Sequence, residues 1–293
     1  MKNTLKVLGA GLIATMVSAN AQIVGAPVNG AEKTEVFAPI QSSRLFSVPT
    51  ANVIGNMDVI IEGGGFLGTG ENSALTGNIG FGLGDVAQIN ISADELASTV
   101  TGHSKSVGVA AFKLRLLPEY RFLPAMAAIM NRSFQTRYDG GFSMIEVSMG
   151  AVASKSFFSE NLSVNLGTKV AIAGYEPDST FAKSEKNNCV TWHPMFGLRL
   201  RANPQTFVMV EFESAPVYNN DELTGSTLKL AEPEYSYMSS LGVRYYFTSW
   251  LSLDTGTRVE YANEQMDVTL KAKMNAAIPV RRLLRRVADN MGH

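Results

Sequence analysis

Residues 234–261 read EYSYMSSLGVRYYFTSWLSLDTGTRVEY, and apolar and polar residues alternate along both halves of this stretch. Because successive side chains of a β-strand point to opposite sides, each half predicts a strand with one apolar and one polar face. A very short turn near residues 247–250 joins the two strands into a hairpin. The aromatic residues gather at the strand ends, a distribution typical of a barrel wall in contact with lipid.

The N-terminus has the pattern of a secretory signal peptide. Lys2 and Lys6 form a basic region, an apolar run follows at residues 7–17, and Ala19-Asn20-Ala21 is an A-x-A cleavage site. We expect residues 1–21 to be removed, so that the mature chain begins at Gln22. Removal of the two lysines changes the formal net charge from −1 to −3, and neither value suggests a nucleic-acid partner.

The rest of the chain lacks the usual stabilising devices of exported proteins. Its single cysteine, Cys189, cannot form an internal disulfide. After the signal peptide, no apolar run approaches the roughly 18 residues that a membrane-spanning helix needs. An exported chain that is rich in glycine and in short alternating segments indicates a bacterial outer-membrane barrel. A soluble secreted β-domain is the main alternative.

The alternating segments predict about twelve strands. Two lie within the hairpin of residues 234–261; the others are predicted at residues 56–64, 74–83, 86–93, 107–117, 122–131, 142–154, 161–174, 193–202, 206–214 and 266–280. The segment at 122–131 also allows a helical turn. Short connections alternate with longer ones at residues 65–73, 94–106, 132–141, 175–192 and 215–233, and only 262–265 breaks the rule. The predicted fold is an all-β, closed antiparallel transmembrane β-barrel of about 12 strands, with short periplasmic turns and longer extracellular loops.

Two segments flank the predicted barrel of residues 54–280. Residues 22–53 hold three prolines and no clear period, so we expect an irregular periplasmic segment. A mobile terminus is the favoured interpretation, and a plug folded back into the lumen is the other. Residues 281–293 begin RRLLRRV and form a basic tail. This tail is either a solvated end or an amphipathic helix that binds an anionic membrane surface or a periplasmic partner.

The polar face of the strands should line the lumen. The predicted lumen-lining residues are Glu62, Lys113, Arg115, Lys169, Arg199, Arg201, Glu211, Glu213, Arg244, Asp254, Arg258 and Lys271. Both signs of charge are represented, which allows a solute-selecting channel or a self-neutralising network that fills a narrow barrel.

Neighbouring strands also predict specific ion pairs, if the register allows. Arg199 and Arg201 would lie beside Glu211 and Glu213, and Arg244 beside Asp254. Closure of the barrel would bring Asp58 and Glu62 near Lys271 and Lys273.

No pattern of catalysis or of cofactor binding stands out. The histidines are His103 in an outer loop, His193 at the mouth of a strand and His293 at the end, and their spacing is not that of metal ligands. Twelve-stranded outer-membrane phospholipases combine a serine and a histidine on the lipid-facing wall, but His193 shares the polar face and has no evident serine partner. We therefore expect no enzyme activity, no cofactor and no metal. Cys189 and Trp192 are assigned to a loop without a role.

Short segments carry a narrower resemblance. Val48-Pro49-Thr50-Ala51 precedes the first strand, Gly82-Leu83-Gly84-Asp85 forms the first turn, and residues 117–128 turn into an apolar strand. With these pieces the chain resembles YjbH-like outer-membrane barrels as well as the general class. The resemblance implies an envelope or exopolysaccharide-linked role and brings no catalytic residues.

The sequence therefore predicts a porin-like or structural protein of the outer membrane with a charged lumen. A barrel that acts through the loops at residues 175–192 and 215–233, as an adhesin or docking protein, is the second hypothesis, and a soluble periplasmic β-protein is the third. The expected partners are outer-membrane lipid, the barrel assembly machinery and, for an open lumen, a small polar solute.

Overall fold

The structure is a computed structural model that describes residues 42–68, 73–95, 106–138, 142–158, 160–177, 187–217, 234–262 and 265–280. The predicted signal peptide, the basic tail, His103 and His293 lie outside these residues. The described strands are β1 (Val59–Gly68), β2 (Ser73–Leu83), β3 (Ala87–Glu95), β4 (Ser106–Leu117), β5 (Ala125–Ser133), β6 (Thr136–Tyr138), β7 (Phe142–Phe157), β8 (Leu162–Pro177), β9 (Asn187–Asn203), β10 (Thr206–Val217), β11 (Glu234–Tyr246), β12 (Leu251–Ala262) and β13 (Gln265–Ile278).

The strands form one closed antiparallel ring. With the exception of β5 and β6, strands that are neighbours in the chain pair with each other, and β1 also pairs with β13. Both β5 and β6 pair with β7, so these two strands are successive parts of one wall position, separated by Phe134 and Gln135. The ring therefore has twelve wall positions, which confirms the predicted closed 12-stranded barrel. Closure pairs the backbone groups of every wall strand, as a barrel in lipid requires.

The hairpin of residues 234–261 forms as its pattern predicts. Arg244 lies opposite Asp254 in the β11–β12 ladder, and Tyr245 lies opposite Leu253. The turn is closed by a hydrogen bond of 3.0 Å from the Phe247 N–H to the Leu251 carbonyl.

The two ends of the barrel differ in their connections. At one end, here called the turn side, the connections are residues 84–86, 118–124, 158–161, 204–205 and 247–250. The opposite end, the loop side, has the connections 69–72, 96–105, 139–141, 178–186, 218–233 and 263–264. The connections 69–72 and 139–141 are thus short where longer ones were expected, which corrects the alternation of length, and 263–264 is short as predicted. The reason is that the strands extend by hydrogen bonding beyond their alternating apolar patterns.

Two strands show how local sequence misplaced the boundaries. Half of the connection predicted at residues 175–192 is strand. β8 continues to Pro177, and β9 begins at Asn187, which lies opposite Tyr175. Cys189 and Trp192 therefore lie in the wall and not in a loop.

Residues 125–133 form strand β5, so the helical alternative there is wrong. β1 begins only at Val59, because Met57 has a positive φ of 59° in the preceding turn.

The outer face of the wall is apolar. Ile79, Leu270 and Leu75 are 59%, 58% and 80% exposed, although they belong to regular strands. Aromatic side chains are exposed near both ends, with Phe247 and Trp250 on the turn side and Tyr235 and Tyr261 on the loop side. Among the residues that the structure describes, no helix is long and apolar enough to cross a membrane.

Candidate functional site

Residues 42–55 lie inside the barrel, and we call them the plug. Leu45, Val48, Ala51 and Ile54 are each no more than 2% exposed. The plug enters from the turn side, reverses direction at residues 46–47 and returns to β1. For residues 42–53 the structure shows the less favoured of the two interpretations, a segment folded back into the lumen, and not the mobile terminus. They are irregular, as predicted, but their backbone and side chains are fixed against the inner wall.

The reversal at the tip of the plug is a small antiparallel turn. The Leu45 N–H donates to the Val48 carbonyl at 2.9 Å, and the Thr50 N–H donates to the Ser43 carbonyl at 3.0 Å. Arg44 and Pro49 form a single β-bridge between these bonds. The turn satisfies only part of the plug's backbone, and the remaining buried groups need partners from the wall.

Polar side chains from around the circumference supply those partners. The Lys113 ammonium on β4 donates to the carbonyls of Ser43 at 2.6 Å and Thr50 at 3.0 Å. Gln88 on β3 accepts from the Ile54 N–H at 2.9 Å. On β7, the Ser154 hydroxyl accepts from the Ala51 N–H at 2.7 Å. These three strands lie within four consecutive wall positions, so these contacts anchor one side of the plug.

The tip of the plug is bound by a buried carboxylate on β10. Glu211 accepts hydrogen bonds from the backbone N–H groups of Phe46 at 2.6 Å, Ser47 at 3.1 Å and Val48 at 3.3 Å. Three successive N–H groups around one carboxylate resemble the anion-binding concavities that turns form. Hydrogen bonds to an ionised group are the stronger kind, so Glu211 is the principal polar anchor of the tip.

A second anchor is an ion-pair network at the base of the plug. Arg244 forms a double hydrogen bond with Asp254, at 2.7 Å and 2.8 Å, and also donates to the Leu45 carbonyl at 3.0 Å. Lys273 lies 3.6 Å from both Asp254 and Glu62. Glu62 in turn accepts from Nε of Arg44 at 2.6 Å. Each charge is thus opposed by another, which buried ions require.

The Phe46 ring rests in a hollow made by two facing glycines. Gly242 and Gly256 are directly opposite each other in the β11–β12 ladder. A Cβ atom on Gly242 would overlap the Phe46 ring, and one on Gly256 would lie 2.9 Å from it. The absence of side chains at these two positions therefore creates the space for the ring.

A cavity of about 250 Å³ adjoins the tip of the plug. Ser43, Arg44, Phe46, Ser47 and Pro49 of the plug line it, and strand residues toward the loop side form its walls. The charged wall residues around it are Lys113, Glu146, Lys169, Glu213, Arg258, Lys271 and Lys273. Met195 and Met238 add an apolar portion. The lumen thus contains both a blocked part and an unfilled part.

The predicted lumen-lining residues fall into two groups by exposure. Glu62, Lys113, Glu211, Arg244, Asp254 and Arg258 are buried; Arg115, Lys169, Arg199, Arg201, Glu213 and Lys271 are partly exposed. Most of the first group touch the plug or its ion-pair network. Arg115 lies near the turn side and donates to the carbonyl of Asp85.

The predicted ion pairs form in part. The Arg244–Asp254 pair is confirmed, and the expected contact between Glu62 and Lys273 forms across the β1–β13 seam. The expected pairing of Arg199 and Arg201 with the glutamates of β10 is wrong, because the register places these arginines opposite Met209 and Phe207. Both guanidinium groups instead lie over the Phe207 ring, at 5.2 Å and 5.7 Å from its centre.

The pairing partners of the two glutamates are different from those expected. Glu213 lies 3.4 Å from Arg258 on β12, and Glu211 binds the backbone of the plug. Asp58 precedes β1, so it does not belong to the seam.

His193 was placed at the mouth of a strand, and the structure buries it within β9. Its ring is 2.9 Å from the Ser214 carbonyl and 2.7 Å from the Thr191 hydroxyl. The ring therefore has both nitrogens engaged. Within the described ranges, no group of histidine, cysteine, aspartate or glutamate side chains could hold a metal ion.

Gln88 and Ser154 were missed as plug contacts, since nothing in a polar strand position indicates which segment it will bind.

The closed wall, its apolar outer face and its aromatic ends decide the class of the protein. It is an outer-membrane β-barrel. No family model matches the sequence, and no curated protein matches it. The narrower resemblance to YjbH-like barrels therefore stays a prediction.

Solved structures with a similar fold are outer-membrane proteins. The COG4313 outer membrane channel from Pseudomonas putida F1 is 11% identical, with a TM-score of 0.47, over 85% of this chain and 100% of that one. The NanC porin is 6% identical, with a TM-score of 0.46, over 74% and 98%. The translocator domain of the autotransporter NalP from Neisseria meningitidis is 10% identical, with a TM-score of 0.45, over 75% and 86%.

Proposed function

We propose that the protein is a porin-like channel for small polar solutes that is closed at rest by the plug. The observation that carries this proposal is the cavity of about 250 Å³ inside the ring, which plug residues such as Phe46 and Ser47 border on the turn side. A barrel of twelve strands is wider than the eight-stranded barrels that side chains alone can fill. The plug occupies that extra width, so its displacement would leave a polar path.

The chemistry of the contacts supports a displaceable plug. The plug is held largely by hydrogen bonds between its irregular backbone and single side chains: Lys113 donates to plug carbonyls, and Glu211 accepts from plug N–H groups. It adds no strand to the ring, since the described bridge at Arg44 and Pro49 lies within the plug itself. Water can replace such hydrogen bonds, at a net cost of about 0.5–1.5 kcal/mol for each neutral one and about 1.5–3 kcal/mol for each one to a charged group. The wall would therefore remain intact while the plug moved.

The competing functions have less support. A soluble periplasmic protein would have to expose the wide apolar outer face to water, including Ile79 and Leu270. An adhesin or docking role would act through loops whose central parts, residues 178–186 and 218–233, lie outside the described residues. The narrower envelope role implied by the YjbH-like resemblance has no particular contact to support it. Insertion by the barrel assembly machinery remains an expectation.

Liposome swelling tests the proposal. The purified, folded protein is placed in liposomes, and the influx of a small neutral sugar is compared with that of a variant lacking residues 42–53. We expect slow influx for the complete chain and much faster influx for the variant. Heat-modifiable gel mobility serves as the control that both barrels are folded. Equal influx for two folded barrels would overturn the proposal.

A further inference from the structure

We propose that the cavity beside the plug binds a small zwitterion that carries an apolar group, such as an aliphatic α-amino acid. This inference rests on the proposed channel function and names the class of solute. It comes from two charged side chains of opposite sign, Glu146 and Lys169, which line the same cavity and are not paired with each other.

The other charged residues around the cavity have partners. Lys113 binds carbonyl groups of the plug, Lys271 donates to the Ser47 hydroxyl at 3.0 Å, and Arg258 lies 3.4 Å from Glu213. Arg44 pairs with Glu62, and Lys273 lies between Glu62 and Asp254. These groups hold the plug or one another, so their charges are already compensated.

Glu146 and Lys169 differ from this group. In the part of the chain that the structure describes, neither the Glu146 carboxylate nor the Lys169 ammonium makes a hydrogen bond or an ion pair. Glu146 is nevertheless only 5% exposed. Its carboxylate lines the cavity, and Lys169 is an opposite charge that acts on it from beyond ion-pair distance. A ligand ammonium placed beside the carboxylate would bring an opposite charge closer, which is favourable.

The separation of the two residues suits a molecule with two charged ends. They lie on adjacent strands, with Lys169 opposite Gly150 and Glu146 opposite Ala173. The four-residue offset corresponds to about 13 Å along the wall, at roughly 3.3 Å per residue. That offset prevents a direct ion pair in this structure and leaves room for a short ligand between the charged ends. A ligand ammonium would face Glu146, and a ligand carboxylate would face Lys169.

The remainder of the cavity indicates the uncharged part of the ligand. Met195 and Met238 are 6% and 3% exposed, and both border the cavity. Methionine side chains adapt their shape to apolar groups. A pure anion would bring no opposite charge to Glu146, and a pure cation would bring none to Lys169. The combination therefore favours a zwitterion with an aliphatic substituent.

Three matched probes test the inference on the folded, complete protein in detergent. L-Leucine has both charges, 4-methylpentanoate has only the carboxylate, and 3-methylbutan-1-amine has only the ammonium. Isothermal titration calorimetry should show leucine binding at least tenfold more tightly than either analogue. Equal affinity for leucine and one analogue, or no binding of leucine, would overturn the proposal.

Two variants assign the ends of the ligand. Lys169→Met should weaken leucine and 4-methylpentanoate by about tenfold and leave the amine unchanged, while Glu146→Gln should weaken leucine and the amine. The control variants are Lys155→Met and Glu119→Gln, which remove a turn-side ion pair of 3.1 Å outside the cavity and should change no affinity.

If leucine binds but swelling assays show no influx, the site stands and the channel function fails. If sugar influx occurs but leucine does not bind, the channel function stands and the proposed ligand is wrong.

Discussion

The Glu211 carboxylate accepts a hydrogen bond of 2.6 Å from the backbone N–H of Phe46, although the two residues are 165 positions apart in the chain. The same carboxylate reaches the N–H groups of Ser47 and Val48. One buried side chain on β10 thereby fixes the tip of a segment that has no regular secondary structure. The closure of the lumen depends on contacts of this kind.

Replacing Glu211 with glutamine should loosen the tip of the plug. The amide offers one accepting oxygen in place of two, has no charge and directs an NH₂ group toward other N–H groups. Hydrogen bonds to charged groups contribute about 1.5–3 kcal/mol, so the backbone amides of residues 46–48 should exchange hydrogen about ten- to a hundredfold faster. Hydrogen exchange read by mass spectrometry measures this change.

Glu260 provides the control for that experiment. Its carboxylate accepts from the Ser236 hydroxyl at 2.6 Å, away from the plug. Glu260→Gln should leave the exchange of residues 46–48 unchanged. Unchanged exchange in Glu211→Gln would mean that the apolar contacts alone hold the tip.

Gly242→Ala should displace the Phe46 ring. The added methyl group would overlap the ring, and overpacking of this kind costs about 1–3 kcal/mol. We expect faster hydrogen exchange in the plug and also in the β11–β12 ladder, because the same Cβ atom would lie 2.5 Å from the Thr255 carbonyl. The additional change Phe46→Ala should relieve the overlap with the ring and leave the approach to the Thr255 carbonyl. Gly63→Ala is the matched control, because a Cβ atom there meets nothing within 4 Å.

Arg244→Met should destabilise the barrel strongly. It leaves Asp254 buried, with Lys273 at 3.6 Å as its remaining ion-pair partner among the described residues. Breaking a buried pair by removing one partner typically costs about 3–5 kcal/mol. Urea unfolding in detergent or lipid measures the loss of free energy.

The matched comparison for Arg244 is the turn-side pair of Lys155 and Glu119, which is more exposed. Lys155→Met should cost less than Arg244→Met, because its ion pair is partly solvated, although the variant also removes hydrogen bonds from Lys155 to the carbonyls of Tyr120 and Leu123. Similar losses for the two variants would show that the Arg244–Asp254 pair is not a special anchor.

Ile79→Arg tests which face of the wall meets lipid. Ile79 points outward near the middle of β2, and arginine at the bilayer midplane of a barrel costs about 2–4 kcal/mol. Leu75→Arg is on the same face but near the loop side, where the cost falls to about 0–1 kcal/mol. Folding into lipid bilayers should therefore be impaired much more by the first variant. Equal effects would contradict the assignment of the apolar band.

Much of the wall could be predicted from alternation alone. The hairpin of β11 and β12 shows a strict period of two, and its register follows from a short turn, so Arg244 and Asp254 could be paired in advance. Alternation alone did not predict the pairing register between the longer strands β9 and β10. Arg199 missed the glutamates because β9 and β10 pair with Arg199 opposite Met209.

The sequence allowed a plug as the less favoured interpretation of residues 22–53, but the contacts that hold the plug could not be predicted, for a physical reason. Its contacts are single side chains of the wall with backbone groups of an irregular segment, as for Gln88 with Ile54. Backbone groups are the same in every residue, so no residue type in the plug marks them. The sequence alone does not distinguish Gly242 and Gly256 from other strand glycines. Only the structure shows that the Phe46 ring occupies the space beside them.

The sequence also could not predict that Lys169 and Glu146 form no direct ion pair. Lys169 was correctly grouped with the polar face, but its lack of a partner depends on the register between β7 and β8. Glu146 shares that dependence.

Single-channel current under a reversible lock tests the central claim, that the plug closes the barrel. Ser47→Cys and Lys271→Cys, combined with Cys189→Ser, place two thiols on the positions whose hydroxyl and ammonium are 3.0 Å apart. Because cysteine is shorter than lysine, the two sulfur atoms lie farther apart than that, and the cross-linking reagent needs a spacer that spans the difference. A short bifunctional methanethiosulfonate joins them, and each single-cysteine variant serves as a control for the reagent. We predict stepwise openings before the lock, silence after it and recovery on reduction. Openings that persist unchanged in the locked protein would contradict the account.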